Sequence, residues 1–191
     1  MILDPLTAIR TLVPGVLFGV ALTKIFAKNP RYFQLIIPRY WKFDKRRFFE
    51  ALIISSIFAF TMLGVCGFLW QLLSQAGYLL VNEEEYLLTP EKIPKPILFC
   101  LTNFLACVEE WIFRGVLLEE ISRSSGSRWM GLCASSLVFG IFHLSNPGTY
   151  PPLALIPTVG GFILGTAYLL RGLFCSTCCH CIYNSFLVFV S

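Results

Sequence analysis

Residues 51–73 contain no charged side chain, and apolar residues occupy most of these positions. The hydrocarbon core of a bilayer is about 30 Å thick, so a helix needs about 20 predominantly apolar residues to cross it. This run therefore predicts a helix that spans a membrane. A chain that contains it is constrained to a fold in which such helices pack together.

The overall composition agrees with a membrane protein. Hydrophobic residues make up 56% of the 191 residues and charged residues only 14%, against about 25% charged in soluble domains. Apolar runs recur and predict about six spans: residues 6–26, 51–73, 96–118, 129–144, 153–170 and 172–191. We expect an all-α, multi-pass transmembrane helical bundle, which in a bacterium would lie in the cell membrane. No signal peptide is expected, because the first residues lack a basic segment followed by a short apolar stretch and a cleavage site.

Basic residues concentrate in the first predicted loop. Eight of the fifteen are Lys24, Lys28, Arg31, Arg39, Lys42, Lys45, Arg46 and Arg47. Such a run can bind nucleic acid, but between membrane spans it is typical of a cytoplasmic loop that contacts anionic lipid. We therefore expect the lipid bilayer, and no nucleic acid, as a partner. Arg123, Arg128 and Arg171 place the third and fifth loops on the same cytoplasmic side.

The ionisable residues inside the predicted spans are Glu109, Glu110, Arg114, His143 and His180. A charge at the centre of a span costs at least roughly 2.5–3.5 kcal/mol, so residues of this kind usually serve a function. Glu110 and Arg114 are four residues apart and share a helix face, which allows an ion pair. Glu109 lies about 100° around the same helix. His180 and Asn184 are also four residues apart and face the same way.

These side chains suit hydrolysis if they converge in one cavity. A glutamate can take a proton from water, and histidine and asparagine donors can stabilise the oxyanion that forms when this water attacks a peptide carbonyl. The simpler alternative is a polar network that only holds the helices together. A proton-coupled transporter also uses intramembrane Glu and His, but it needs a route across the membrane, whereas these groups lie at one depth.

Three short motifs resemble the signatures of a known family. They read "EEWIFR" (109–114), "FGIFH" (139–143) and "HCIYN" (180–184), in this order and on three predicted spans. The family is that of the CPBP intramembrane proteases, which includes the type II CAAX prenyl endopeptidases and bacteriocin-processing enzymes. The resemblance covers residues 96–191, which we expect to form the catalytic core. Residues 1–95 are expected to form N-terminal spans with the basic cytoplasmic loop.

The resemblance implies an intramembrane endopeptidase that acts on a membrane-embedded or membrane-associated peptide. It implies that Glu109 activates a water molecule and that His143 assists. It assigns oxyanion stabilisation to His180 and Asn184, with Glu110 and Arg114 as supporting residues. Members are described both as metalloproteases and as metal-free enzymes, so no cofactor is certain, and zinc held by Glu109, His143 and His180 stays open. Some relatives are regarded as non-catalytic immunity or scaffold proteins, which is the alternative function.

Two further patterns predict packing rather than chemistry. The stretch "CSTCCHC" (175–181) could be argued as a zinc site of Cys175, Cys178, Cys179 and His180. However, adjacent residues of a helix point to different faces, and cysteine is a small side chain that is often buried, so we expect these thiols to pack. The GxxxG pairs at 15–19 and 161–165 predict close approach of helices.

Overall fold

The structure is a computed structural model that describes residues 13–17, 19–20, 45–82 and 92–190. The helices are α1 (Lys45–Gln75), α2 (Lys95–Glu110), a π-helix (Trp111–Leu118), α3 (Glu119–Ser125), α4 (Arg128–His143), a 3₁₀ turn (Pro151–Ala154) and α5 (Leu155–Val190). Residues 13–17 and 19–20 are helical as well. No strand occurs within these ranges, and the all-α fold expected from the sequence is confirmed.

Three helical stretches are long and apolar enough to cross a membrane: Lys45–Gln75, Lys95–Ser125 and Pro151–Val190. The predicted spans from the second to the sixth coincide with helical residues as far as residue 190, apart from Leu144, which lies in a turn. The predicted first span, residues 6–26, lies largely outside the described residues. The count of six spans therefore stays a prediction.

The first half of α5 runs antiparallel to α1. Near the start of α1, a carboxylate oxygen of Glu50 lies 3.9 Å from the Arg171 guanidinium. Further along α1, the Cys66 thiol donates a weak hydrogen bond of 3.8 Å to the carbonyl oxygen of Ile156. Later residues of α1 therefore contact earlier residues of α5, as in two antiparallel helices.

After Gly172 the chain reverses direction. This residue has φ 79° and ψ −172° inside an otherwise helical stretch. Beyond it, Ser55 Oγ donates to the carbonyl oxygen of Cys175 at 2.9 Å, and the rings of Phe60 and Phe186 pack edge to face, 6.5 Å apart. Here later residues of α1 contact later residues of α5, so the second half of α5 runs parallel to α1. The two halves of α5 therefore form an antiparallel hairpin. The predicted boundary between the fifth and sixth spans falls at this turn.

The third and fifth predicted loops share one end of the bundle. The Glu119 carboxylate at the start of α3 accepts hydrogen bonds from Arg128 at 3.0 Å and from the Tyr168 hydroxyl at 2.9 Å, one turn before the reversal in α5. At the opposite end, Val81 and Thr149 form an isolated antiparallel bridge between two other loops. The third and fifth predicted loops therefore lie together, and the side of the membrane that they face stays a prediction. The first predicted loop, residues 24–47, lies largely outside the described residues.

Glycines allow α5 to approach α4 closely. A side chain at Gly165 would overlap Leu132, and a Cβ atom at Gly161 would lie 3.1 Å from the Cα atom of Ser136. The second GxxxG pair therefore packs helix against helix, as expected. At the first pair, residues 15–19, a Cβ atom would meet no described atom within 4 Å, so its role stays a prediction.

We predict that Gly172→Ala destabilises the protein by about 1–3 kcal/mol, because its φ and ψ lie in a region that only glycine adopts readily. The matched control is Gly64→Ala in the middle of α1, where a Cβ atom would meet no described atom within 4 Å. Alanine in this helical position should be neutral or stabilising. Thermal unfolding in detergent measures both, and equal effects of the two changes would contradict the hairpin.

We also predict that the end with α3 faces the cytoplasm, because basic loops are retained there. In a variant without native cysteines, a membrane-impermeant thiol reagent applied to intact cells should label Tyr78→Cys and leave Arg123→Cys unlabelled. Both positions are exposed, so accessibility within the protein does not decide the result. Labelling of position 123 alone would reverse the orientation.

Candidate active site

A buried ion pair lies where α2 continues into the π-helix. Arg114 Nη1 donates a hydrogen bond of 2.8 Å to Glu110 Oε1. The Glu110 side chain is 0% exposed and the Arg114 side chain 1%. The pair expected from the four-residue spacing is therefore present, and it is fully desolvated. Each buried charge is stabilised by the other, and removal of either residue would leave an unpaired charge in the interior.

Arg114 also connects its own helix to α4 and α5. Its Nη2 atom donates to the backbone carbonyl oxygen of Gly161 at 3.1 Å. Its guanidinium carbon lies 4.4 Å from the ring centroid of Phe139, in a cation–π contact. Gly161 belongs to the close-packed GxxxG pair, so the absence of a side chain there lets α5 bring its carbonyl group to the arginine. The ion pair is thus a junction of three elements.

His180 binds the same carboxylate from α5. Its Nδ1 atom lies 3.0 Å from Glu110 Oε1, and its Nε2 atom lies 3.9 Å from Glu109 Oε2. An ionised carboxylate only accepts hydrogen bonds, so Nδ1 carries the proton of this contact. The Nε2 atom therefore faces Glu109.

His143 is held in a similar way at the end of α4. Its Nδ1 atom lies 2.9 Å from the carbonyl oxygen of Phe139, and a carbonyl oxygen can only accept. The proton is again on Nδ1, and Nε2 is the nitrogen left for chemistry. Both histidines of the site thus have their orientation fixed by a partner that does not itself react, as is usual for catalytic imidazoles.

Glu109 differs from Glu110 in its surroundings. Its side chain is 19% exposed, whereas that of Glu110 is fully buried. Its charge acts on both His143 and Arg114. Glu109 therefore lies beside His180, and its charge also reaches His143. Glu109 is the more accessible of the two carboxylates.

Asn184 lies one turn beyond His180 on α5. Its Nδ2 atom donates to the backbone carbonyl oxygen of Thr102 on α2, at 3.2 Å. This hydrogen bond ties α5 to α2 two turns before Glu109. The contact that the structure gives Asn184 is thus to the backbone of α2 rather than to another predicted site residue.

The π-helix at Trp111–Leu118 was not predicted. Residues 112–116 are five consecutive buried residues, whereas an amphipathic α-helix buries one stripe. π-helical turns occur frequently at functional sites. Hydrophobic periodicity over so short a stretch does not distinguish a π-helix from an α-helix, so the sequence carried no signal for it.

Three contacting residues were also missed as parts of the site: Phe139, Gly161 and Thr102. The first belongs to the "FGIFH" motif and the second to the GxxxG pair, so the sequence singled out their positions without their roles. Thr102 and Gly161 act through backbone carbonyl groups, which any residue type supplies. Sequence reasoning about side chains has no means to find such contacts.

The zinc hypotheses do not fit the arrangement of these side chains. Within residues 45–82 and 92–190, and the short helical pieces before them, no three His, Cys, Asp or Glu side chains are grouped as metal ligands. The Cys175 thiol lies 3.4 Å from Ser55 Oγ on α1 and packs there.

The fold and the site together define a helical membrane protein with a carboxylate and two oriented imidazoles between its helices. The model of the family described as "Type II CAAX prenyl endopeptidase Rce1-like" matches residues 91–186, just over half of the chain. The chain belongs to this family of CAAX-type intramembrane proteases, and the membership and the apolar helices make it an integral membrane protein. No curated protein and no solved structure matches the chain.

We predict that Glu110→Gln lowers the free energy of unfolding by about 3–5 kcal/mol, because it leaves Arg114 charged, buried and without its counter-ion. The matched control is Glu50→Gln, which removes a carboxylate that is 39% exposed and pairs with Arg46 at 2.9 Å. A surface pair of this kind contributes about 0–1 kcal/mol. Thermal unfolding in detergent compares the two variants, and a similar small loss in both would show that the buried pair does not support the fold.

Proposed function

We propose that this protein is an intramembrane endopeptidase of the CAAX-processing type that hydrolyses a peptide bond in or near the bilayer. The observation that carries the proposal is the accessible Glu109 carboxylate beside two imidazoles whose Nδ1 atoms are already held. The family membership supports a peptide substrate in a membrane setting. The substrate is a membrane-embedded or membrane-associated protein.

Glu109 is the general base in this proposal. Its carboxylate takes a proton from a water molecule as the water oxygen attacks the carbonyl carbon of the scissile bond. His143 assists by accepting a hydrogen bond from the same water at Nε2, since its Nδ1 proton is held by the Phe139 carbonyl. The proton on Glu109 then passes to the leaving amine as the C–N bond breaks, so the base is regenerated.

Asn184 and His180 stabilise the oxyanion of the tetrahedral intermediate. The Asn184 amide has two N–H groups, and the hydrogen bond to Thr102 occupies one of them. The second N–H is the oxyanion donor, and the Thr102 carbonyl keeps the amide in a fixed orientation. His180 presents Nε2 on the side of Glu109, and a second proton on the ring makes this nitrogen a donor as well.

Glu110 and Arg114 have a supporting role. Glu110 Oε1 binds Arg114 at 2.8 Å and His180 at 3.0 Å, so this oxygen already accepts two hydrogen bonds. It is also completely buried, which keeps it away from the water that Glu109 would activate. In this proposal Glu109 therefore takes part in the chemistry, and Glu110 positions His180.

We predict that Glu109→Gln lowers the cleavage rate by at least about 100-fold without a large change in thermal stability, because the amide keeps the shape but cannot accept the proton. His143→Ala should be comparably damaging. His180→Ala and Asn184→Ala should each lower kcat by about 100- to 1000-fold through loss of an oxyanion donor. The measurement is hydrolysis of an internally quenched farnesylated peptide with a C-terminal CAAX sequence, by purified variants in detergent.

The control is Glu120→Gln, which alters an exposed pair with Arg123 outside the site and should retain full activity. Near-native cleavage by Glu109→Gln, together with a folded but inactive Glu110→Gln, would reverse the roles of the two glutamates. If none of the four site changes affects cleavage, the non-catalytic scaffold function is the better explanation.

A further inference from the structure

We propose that Phe139 is a positioning residue whose aromatic ring, and not only its volume, aligns both histidines with Glu109. The inference rests on the proposed function, because it concerns the same site. It assigns to one buried side chain the placement of Arg114 on one side and of the two imidazoles on the other.

The face of the ring holds Arg114. The guanidinium carbon lies 4.4 Å from the ring centroid, and the arginine is 1% exposed. The negative face of an aromatic ring attracts a cation most strongly where water is excluded. Because Arg114 binds Glu110, and Glu110 binds His180, a shift of the guanidinium would be transmitted to His180 through two hydrogen bonds.

Both site histidines pack against the same ring. The centroid of Phe139 lies 4.6 Å from that of His143 and 6.0 Å from that of His180, with interplanar angles of 66° and 78°. T-shaped contacts of this kind depend on the ring quadrupole as well as on shape. The Phe139 carbonyl also accepts the Nδ1 proton of His143. The residue thus contacts both imidazoles and the cation directly.

Phe113 provides a matched comparison. Its ring packs edge to face on Phe139 with centroids 5.0 Å apart, and it also contacts Phe142 at 5.4 Å. Phe113 is 1% exposed and Phe139 is 2% exposed, so the two rings are equally buried. A purely volumetric role would make the two positions respond alike to a change in ring electrostatics.

The experiment replaces Phe139, and separately Phe113, by phenylalanines with one, two and three ring fluorines. Fluorination weakens the negative face of the ring stepwise and changes its volume little. We expect kcat on the farnesylated quenched peptide to fall stepwise at position 139, by about tenfold for the trifluoro ring, since a buried cation–π contact has this order of strength. The KM value should change little, and the unfolding temperature should fall modestly, because the same contact also stabilises the folded state. The same series at position 113 should leave kcat unchanged.

A second readout does not need turnover. The chain contains only two histidines, so ¹⁵N NMR of histidine-labelled protein reports on His143 and His180 without overlap. Both imidazole signals should shift progressively with fluorination at position 139 and stay in place with fluorination at position 113. Unchanged signals and a flat kcat series at 139 would overturn the proposal for Phe139. Glu109→Gln, measured beside them, decides the proposed function separately, because an inactive Glu109→Gln with a flat fluorine series leaves the protease proposal intact.

Discussion

The buried contact between Glu110 and Arg114 is the interaction on which the rest of the site depends. Neither side chain reaches solvent, and the oxygen of Glu110 that binds Arg114 also binds His180. Removing one charge would leave the other unpaired in a medium that solvates ions poorly, so the pair persists as a unit. The accessible Glu109 is adjacent in sequence but turned away from this contact. One glutamate can therefore be a fixed structural anchor while its neighbour remains available to water.

Three local features of the backbone bring the partner groups to the Glu110–Arg114 pair. The π-helix that follows Glu110 buries residues 112–116 in succession and places Arg114 among three elements. The missing side chain at Gly161 lets α5 offer a backbone carbonyl to the guanidinium. The turn at Gly172 then sends the second half of α5 back along the bundle, so that His180 reaches Glu110 and Asn184 reaches Thr102. A continuous helix could not supply both Gly161 and His180 to the same place.

Much of this arrangement could be predicted from residue type and spacing. Apolar runs predicted the helices, and the four-residue interval predicted the pair of Glu110 and Arg114, because both follow from the 3.6-residue period. The approach of Glu109 to His180 was expected because ionisable groups in membrane spans usually face a shared interior. The π-helix, the cation–π contact of Phe139 and the backbone acceptors at Gly161 and Thr102 could not be predicted in this way. They depend on how separate helices approach each other, which a local pattern does not contain.

The most direct test of the account is a double-mutant cycle on Glu110 and Arg114, measured by thermal unfolding in detergent. If the buried pair organises the site, replacing both residues by glutamine should be less destabilising than replacing Glu110 alone, since no uncompensated charge is left inside. The coupling between the two changes should then exceed the loss caused by replacing Arg114 alone, that is, at least about 3 kcal/mol. If the loss in the double variant equals the sum of the two single losses, the side chains act independently, and the ion pair is not the element that holds the site together.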